Sequence, residues 1–377
     1  MLGSVFVAMS GLNAYSAGLK SISNNISNLN SEAYKASHPY FQALDFEMSS
    51  KRGGGVELTD TVIDLSAGEL RQTSSDLDLA LEGQGYLVLL DERDNLVFAR
   101  TGRFQVDESG NLLLSGTQYK LAAIDKQGQL AAVNVSEYEQ YNPEPTSTLS
   151  LKGNISSAAT EHKINDIQIY NSEGEGLIFS INFKKSEEGS NRWHFDIVDD
   201  ANNNLFSDAI EFNGGIINPT SASKSVQIIS KGLDFTVDFN SVTSFSSGSI
   251  STISLNEVNG LPLGNLQTLT FSSQERLEAR YTNGETIEIA DIAIAESDNP
   301  KDIKVLEDRL FDIGSYSIFK ASDTQTRLLS NRIEASNVNL SNEFGDLVII
   351  QRGYQASSQV LSVSNDMIQQ LFGIRGR

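Results

Sequence analysis

Both ends of the chain carry apolar residues at helical spacing with almost no charge, and the sequence between them alternates like β-structure. From Leu2 the apolar stripe runs through Val5, Met9, Leu12, Tyr15, Leu19, Ile22, Ile26 and Leu29 in steps of three and four, with one repeated three-step from Leu12 to Tyr15. That period predicts a helix. Toward the other end Leu340, Phe344, Leu347, Tyr354, Leu361, Ile368 and Phe372 sit on an alternating three-four ladder whose remaining rungs are Gln351, Ser358 and Asn365. These polar rungs are expected to set helix register, as buried polar residues do in coiled coils. Residues 1–30 hold a single charged side chain, Lys20, among many Ser and Asn. A solvated helix face carries Lys, Glu and Arg, whereas a face of Ser, Asn and Gly can be enclosed by protein without burying an ion. Such tails suit a subunit that packs against copies of itself. The alternative is an intramolecular helix pair closing one domain. At about 1.5 Å per residue each helix would reach roughly 45 Å, long for a pair with nothing else to cover it.

The 377 residues suffice for two or three domains, and a hydrophobic content of 39% is that of a folded chain. A formal net charge of −21 with no cluster of Lys and Arg argues against nucleic acid as a partner. Cysteine is absent, which removes disulfides, thiolate catalysis and Cys-based metal sites. No basic residue precedes Lys20 and the apolar positions there are periodic rather than continuous, so a secretory signal peptide is not expected. No apolar run approaches a membrane span, and no membrane insertion is expected.

The interior reads as strands and turns. Gly53-Gly54-Gly55 is a breaker, read as a turn before the alternating Val56 and Leu58, since no helix start or Lys-Ser/Thr pair follows as in a phosphate loop. From Leu77 the pattern is strand, turn, strand, with turns at Gly83-Gln84-Gly85, Asp94-Asn95 and Asp107 to Asn111. Asn142-Pro143-Glu144-Pro145 interrupts both helix and ladder and marks a domain boundary. Beyond it Leu177, Phe179, Ile181 and Phe183 share one face, as do Trp193, Phe195 and Ile197, and Leu233, Phe235, Val237 and Phe239. Half-buried antiparallel strands with one wet face have this pattern. The Ser/Gly-rich stretch from Ser244 to Ser251 reads as a return crossing, and Asn283-Gly284 as a tight hairpin.

The fold class expected is mainly β with terminal α-helices that pair as a coiled coil, around a β-rich middle domain with a second β-domain inserted. Its boundaries are 1–35 plus 333–377 for the helical part, 36–70 for a linker with hairpin character, 71–145 plus 251–332 for the first β-domain and 146–250 for the insert. Candidate chemistry is thin. His38, His162 and His194 fall in three regions without metal-ligand spacing. Asp199 to Asn204 lacks the central Gly and closing Glu of a calcium loop, and Asp76 with Asp78 reads as carboxylates at a strand edge. Neither an enzyme nor a cofactor or metal site is expected.

Certain runs carry a family resemblance. Ser23-Asn24-Asn25-Ile26-Ser27-Asn28-Leu29-Asn30, closing with Tyr34-Lys35, resembles the amino-terminal signature of the bacterial flagellar rod and hook proteins. Glu334-Ala335-Ser336-Asn337-Val338-Asn339-Leu340-Ser341, followed by Gln351-Arg352-Gly353-Tyr354-Gln355 and Asn365-Asp366-Met367, resembles their closing helix. Gly83-Gln84-Gly85-Tyr86, Arg100-Thr101-Gly102-Arg103-Phe104 and Asp107 with Gly110-Asn111-Leu112 are similar to their shared β-domain. The chain departs from the pattern at Glu32-Ala33, where the family has a Gly-containing turn, and from Ser315 to Arg332, which lacks the usual Gly-rich run.

The resemblance implies a discontinuous axial protein. Residues 146–250 stand where hook-type members carry an additional β-domain, and Ile169 to Gly174, Phe183 and Asn191-Arg192-Trp193 are similar to its opening. It follows, on the resemblance, that the chain is a structural subunit of the hook, the curved flexible tube that joins rod to filament and transmits torque for motility. Its implied partners are further copies of itself, the rod, the hook cap, the hook-filament junction proteins and the type III export apparatus, which would carry it outside the cell. Rivals are a distal rod protein with an insertion and, from another class, a secreted β-rich adhesin.

Overall fold

The structure is a computed structural model that describes residues 2–45, 53–125, 127–187 and 191–375. It is mainly β, with two α-helices among the described residues, α1 (Leu2–Ser27) and α2 (Leu340–Arg375). The Asn-rich run that ends α1 supplies its own terminus: Asn28 donates to the Asn24 carbonyl from both its backbone N–H, at 3.1 Å, and its Nδ2, at 2.9 Å. Asn339 opens α2, its Oδ1 accepting from Ser341 N at 3.0 Å and Asn342 N at 3.3 Å, as an N-cap does.

Two compact units divide the chain. The first comprises Met1–Ser136, Leu269–Glu278 and Glu288–Arg377, and the second Glu137–Thr268 with Ala279–Ile287. Within the first, α1 and α2 run antiparallel in contact. Ser4 and Ser364 hydroxyls lie 3.2 Å apart, Gly11 faces Ser357, Tyr15 faces Gly353, Gly18 faces Ile350 and Asn25 reaches Glu343 at 3.0 Å. Along α1 these positions climb by seven, four, three and seven residues, and along α2 they descend by the same steps. The glycines let the helices approach: a Cβ at Gly353 would run into the Tyr15 ring.

An adjoining side of α1 rests on a hairpin of β1 (Ser37–Asp45) and β2 (Gly53–Ile63). Ser21 Oγ donates to the Ser37 carbonyl at 2.8 Å, and Val56 N donates to Ser10 Oγ at 3.1 Å. Here the glycine run departs from its reading as a turn, because Gly53 to Gly55 open β2. The reason is steric: Gly55 holds φ 114° directly against Ser10, where any side chain would collide.

Beyond the hairpin, the first unit is built from short antiparallel strands around Leu79, Leu81, Leu87, Leu89, Phe104 and Leu112. Its turns share one device. Asp91 Oδ1 accepts from Arg93 N and Asn95 N, and Asp107 Oδ1 from Ser109 N and Asn111 N, so one carboxylate closes each hairpin. The chain returns to this body when Arg327–Ser330 pairs with Asp78–Glu82 and Arg332–Glu334 pairs with Leu70–Gln72, both antiparallel. That second pairing delivers Glu334 to the site described below.

The second unit is a nine-stranded sheet around Phe183, Trp193, Phe195, Phe235 and Phe239. Alternation is as the sequence predicts, with Leu233, Phe235, Val237 and Phe239 buried. One pairing differs from the antiparallel expectation: Thr148–Asn154 lies parallel to Leu233–Thr243. These strands are far apart in sequence, and the long connection between them lets the chain come back in the same direction.

Candidate assembly site

Three of the runs singled out by sequence meet at one buried carboxylate in the first unit. Glu334 is completely enclosed, and its Oε1 accepts from Lys35 Nζ at 2.6 Å and from Gly68 N at 2.8 Å. Its Oε2 accepts from Arg100 Nε at 3.3 Å. The same guanidinium donates to the carbonyls of Gly85 at 2.5 Å and Gly83 at 2.8 Å and stands 5.5 Å from the centre of the Tyr86 ring. Lys35 Nζ donates to Ser66 O as well, at 2.6 Å. Two cations thus flank one anion out of reach of water, an arrangement held by the completeness of its hydrogen bonds. Burial depresses the Lys35 ammonium below the ordinary lysine range, and the Glu334 carboxylate opposes that shift.

Backbone stitches reinforce the contact. Ala33 N donates to Glu334 O at 2.8 Å and Asn337 N to Tyr34 O at 3.2 Å. The Asn337 side chain acts as a further rung: its Oδ1 accepts from Ala36 N at 2.7 Å while Nδ2 donates to Asp64 O at 2.8 Å. One turn into each helix, Asn25 repeats the pattern. Its Oδ1 accepts from Ser37 N at 3.0 Å and Tyr34 OH at 3.1 Å, and its Nδ2 donates to Ser37 O and Glu343 Oε1, both at 3.0 Å. The second oxygen of Glu343 is buried without a hydrogen-bond partner, and burial raises that carboxyl above the usual glutamate range. Glu32 closes the outer edge, 2.6 Å from Arg103 and 3.6 Å from Arg309. Ala33 beside it adopts φ 54°, the left-handed conformation that glycine takes freely. What this arrangement does chemically is bind the two ends of the chain to each other.

Residues 329–374, which include Glu334, Asn337 and Glu343, match the family described as flagellar basal body rod FlgEFG protein C-terminal. Over its whole length the chain is 25% identical to the flagellar hook protein FlgE of Brucella suis, covering 99% of that protein. The chain is thus similar along its full length to flagellar hook proteins, and at residues 329–374 to the rod and hook family. Other relatives are the flagellar hook proteins FlgE of Escherichia coli, 24% identical over 98% of this chain and 99% of that one, and of Treponema pallidum, 21% identical with both chains fully covered. A crystal structure of the Helicobacter pylori flagellar hook protein FlgE2 aligns with a TM-score of 0.45 at 11% identity, over 65% of this chain and 94% of that one.

The family's signature residues are distributed unevenly across the site. Asn25 and Asn337 are at its centre; Asn28 caps α1, Asn24 is exposed, and Gln351 and Arg352 lie on the outer face of α2. Of the apolar positions read on α1, Ile22 is buried, Val5, Leu12, Leu19, Ile26 and Leu29 are half-buried and Met9 is exposed. On α2, Leu347, Leu361 and Ile368 are half-buried, whereas Phe344 and Tyr354 are exposed. The side chains of Leu2 and Phe372 lie outside the described residues. The polar rungs Gln351, Ser358 and Asn365 face away from α1, whose partners on α2 are instead Glu343, Ile350, Ser357 and Ser364. Sequence reading passed over these four, as it did the small-residue stripe Ala8, Gly11, Ala14 and Gly18 that is buried on α1. It also passed over Lys35, Arg100 and Glu334 as a unit. A signal for the stripe was present in the spacing of Ala and Gly by three and four.

The remaining candidates stay apart. Asp76 accepts from Asn331 Nδ2 at 2.7 Å, Asp78 is buried, and Asp199 closes its own turn by accepting from Asn203 N at 2.8 Å. Among the described residues no group of three His, Cys, Asp or Glu side chains is placed to hold a metal, and no helix is long and apolar enough to cross a membrane.

Proposed function

We propose that the chain is the structural subunit of the flagellar hook, polymerising into a curved flexible tube that joins rod to filament and transmits torque. One observation carries this reading. With its ends clasped, the helix pair still turns large apolar side chains outward: Phe6 is 68% exposed and Ile349 67%, and Val7, Met9, Phe344, Val348, Val360, Val363 and Met367 accompany them. So many exposed apolar side chains with so few charges call for cover, and copies of the same helix pair supply it. The relatives named as hook proteins along the full chain support the same role.

In this reading α1 and α2 form an antiparallel coiled coil that lines the inner tube, residues 146–250 form an inserted outer domain, and the role is mechanical rather than enzymatic. Export through the type III apparatus, assembly under a cap, and contacts with rod and junction proteins complete it. Electron microscopy of the purified chain under assembly conditions is the test. Curved tubes are expected, and deletion of residues 1–30 or 340–377 should abolish them while the β-units stay folded. Straight rods would favour the distal rod reading, and tubes assembling normally from either truncated chain would refute the role given to the helices.

A further inference from the structure

One end of the second unit is built from uncharged segments around an exposed phenylalanine, with the Lys185 ammonium, which donates to the Ser157 carbonyl, as a charge at its edge. Three segments with no Asp, Glu, Lys or Arg, residues 153–160, 212–223 and 239–256, converge there. Asn154 grips the backbone of Phe245 from both sides, accepting from its N–H at 2.8 Å and donating to its carbonyl at 3.1 Å. Ser156 N donates to Ser251 Oγ at 2.9 Å, and Ser244 N to Gly215 O at 2.7 Å. Gly215, at φ 85°, leaves room for the Phe245 ring, which a Cβ there would strike. Held in this way, Phe245 is 51% exposed, Ile216 63% and Ile250 70%. A loop so fully hydrogen-bonded that it fixes three apolar side chains in water has the character of a contact surface.

Charge decides what covers it. The second unit carries 18 acidic and 8 basic side chains, a net of −10, so another copy of it meets like-charge repulsion across most of its surface. A basic partner would be drawn to the acidic faces instead. We propose that the surface formed by Phe245, Ile250 and Ile216 is a contact between neighbouring copies of this chain, a patch where two such acidic bodies touch without carboxylates facing one another. The inference rests on the subunit reading for the presence of neighbours, and on charge and geometry for the choice of surface.

The test compares polymers of the full chain with those of a Phe245→Asp/Ile250→Asp double variant and of Phe245→Leu. The double variant should need at least tenfold more subunit to polymerise, Phe245→Leu should behave as the parent, and the fluorescence of buried Trp193 should be unchanged in both. Parent-like assembly of the double variant with an intact Trp193 signal overturns the contact. A photoreactive benzophenone side chain at position 250 of the otherwise unaltered chain gives a second readout, decisive where the aspartates disturb folding. Covalent dimers of the chain support the surface, and their absence at concentrations where copies associate refutes it. Failure of the parent to form any tube refutes the subunit reading instead, and the cross-link still reports whether associated copies meet here.

Discussion

Replacing Glu334 with Gln keeps the shape of the clasp and removes the anion that touches both Lys35 and Arg100, leaving these two cations buried together. Both oxygens of Glu334 are occupied, at 2.6, 2.8 and 3.3 Å, and the side chain is wholly enclosed, so solvent cannot screen the loss. Removing one partner from a buried ion pair costs about 3–5 kcal/mol. Lys35 can shed its charge, because burial already depresses its ammonium. A base depressed in the folded state binds fewer protons there than when unfolded, so stability rises with pH toward the ordinary lysine value of 10.5. Without the carboxylate the depression deepens, and the deficit of the variant should therefore narrow between about pH 7 and about pH 10. Urea denaturation followed by the helical circular dichroism band reads the first unit, which holds both α-helices, while the single Trp193 reports the second separately. The expected result is a loss of about 3–5 kcal/mol in the first transition, with the tryptophan transition unmoved. A Lys35→Met/Glu334→Gln chain should recover much of the loss, since it no longer buries the unpaired ammonium. A loss below about 1 kcal/mol, or one that grows with pH, would refute the reasoning.

Three further outcomes are expected. Ala33→Gly relieves a left-handed residue worth about 1–2 kcal/mol of strain against roughly 0.5–1 kcal/mol of added chain entropy, so the urea midpoint should rise slightly; a fall would show that Ala33 is unstrained. Glu343 is held above its usual range chiefly by burial, so its contribution is present below the ordinary glutamate value and lost as pH rises through the raised one. Glu343→Gln keeps an acceptor for Asn25 and should flatten that dependence, read as helix content against pH, and an unchanged slope would assign it elsewhere. Gly353→Val drives a side chain into the Tyr15 ring and should cost about 1–3 kcal/mol by overpacking, with faster hydrogen exchange along both helices. Exchange at the parent rate would mean the helices separate without penalty.

The terminal helices were legible because low charge and steps of three and four persist for several turns, and the turns because Asp91, Asp107 and Asp199 each close a hairpin onto an Asn four residues on. The register of α2 was not. That helix is apolar on more than one face, and a single-stripe reading follows Phe344, which is exposed, rather than Glu343 and Ile350, which are buried against α1. Lys35, Arg100 and Glu334 each look like surface charges when taken one at a time, and their meeting depends on strand pairings between residues some 260 apart in sequence. The departure at Ala33 was visible as a missing glycine, yet only the backbone reveals that the left-handed turn is kept without it.

The stitching of residues 33–36 to 334–337 also fixes how force travels. A pull or twist applied along either terminal helix reaches the other through a few short, parallel hydrogen bonds loaded in shear. Of the residues between those stitches, the hairpin of β1 and β2 shares the load through its hydrogen bonds to α1, and Gly68 and Arg100 share it at the junction itself. Strain in one helix is therefore delivered to the other and to this hairpin together.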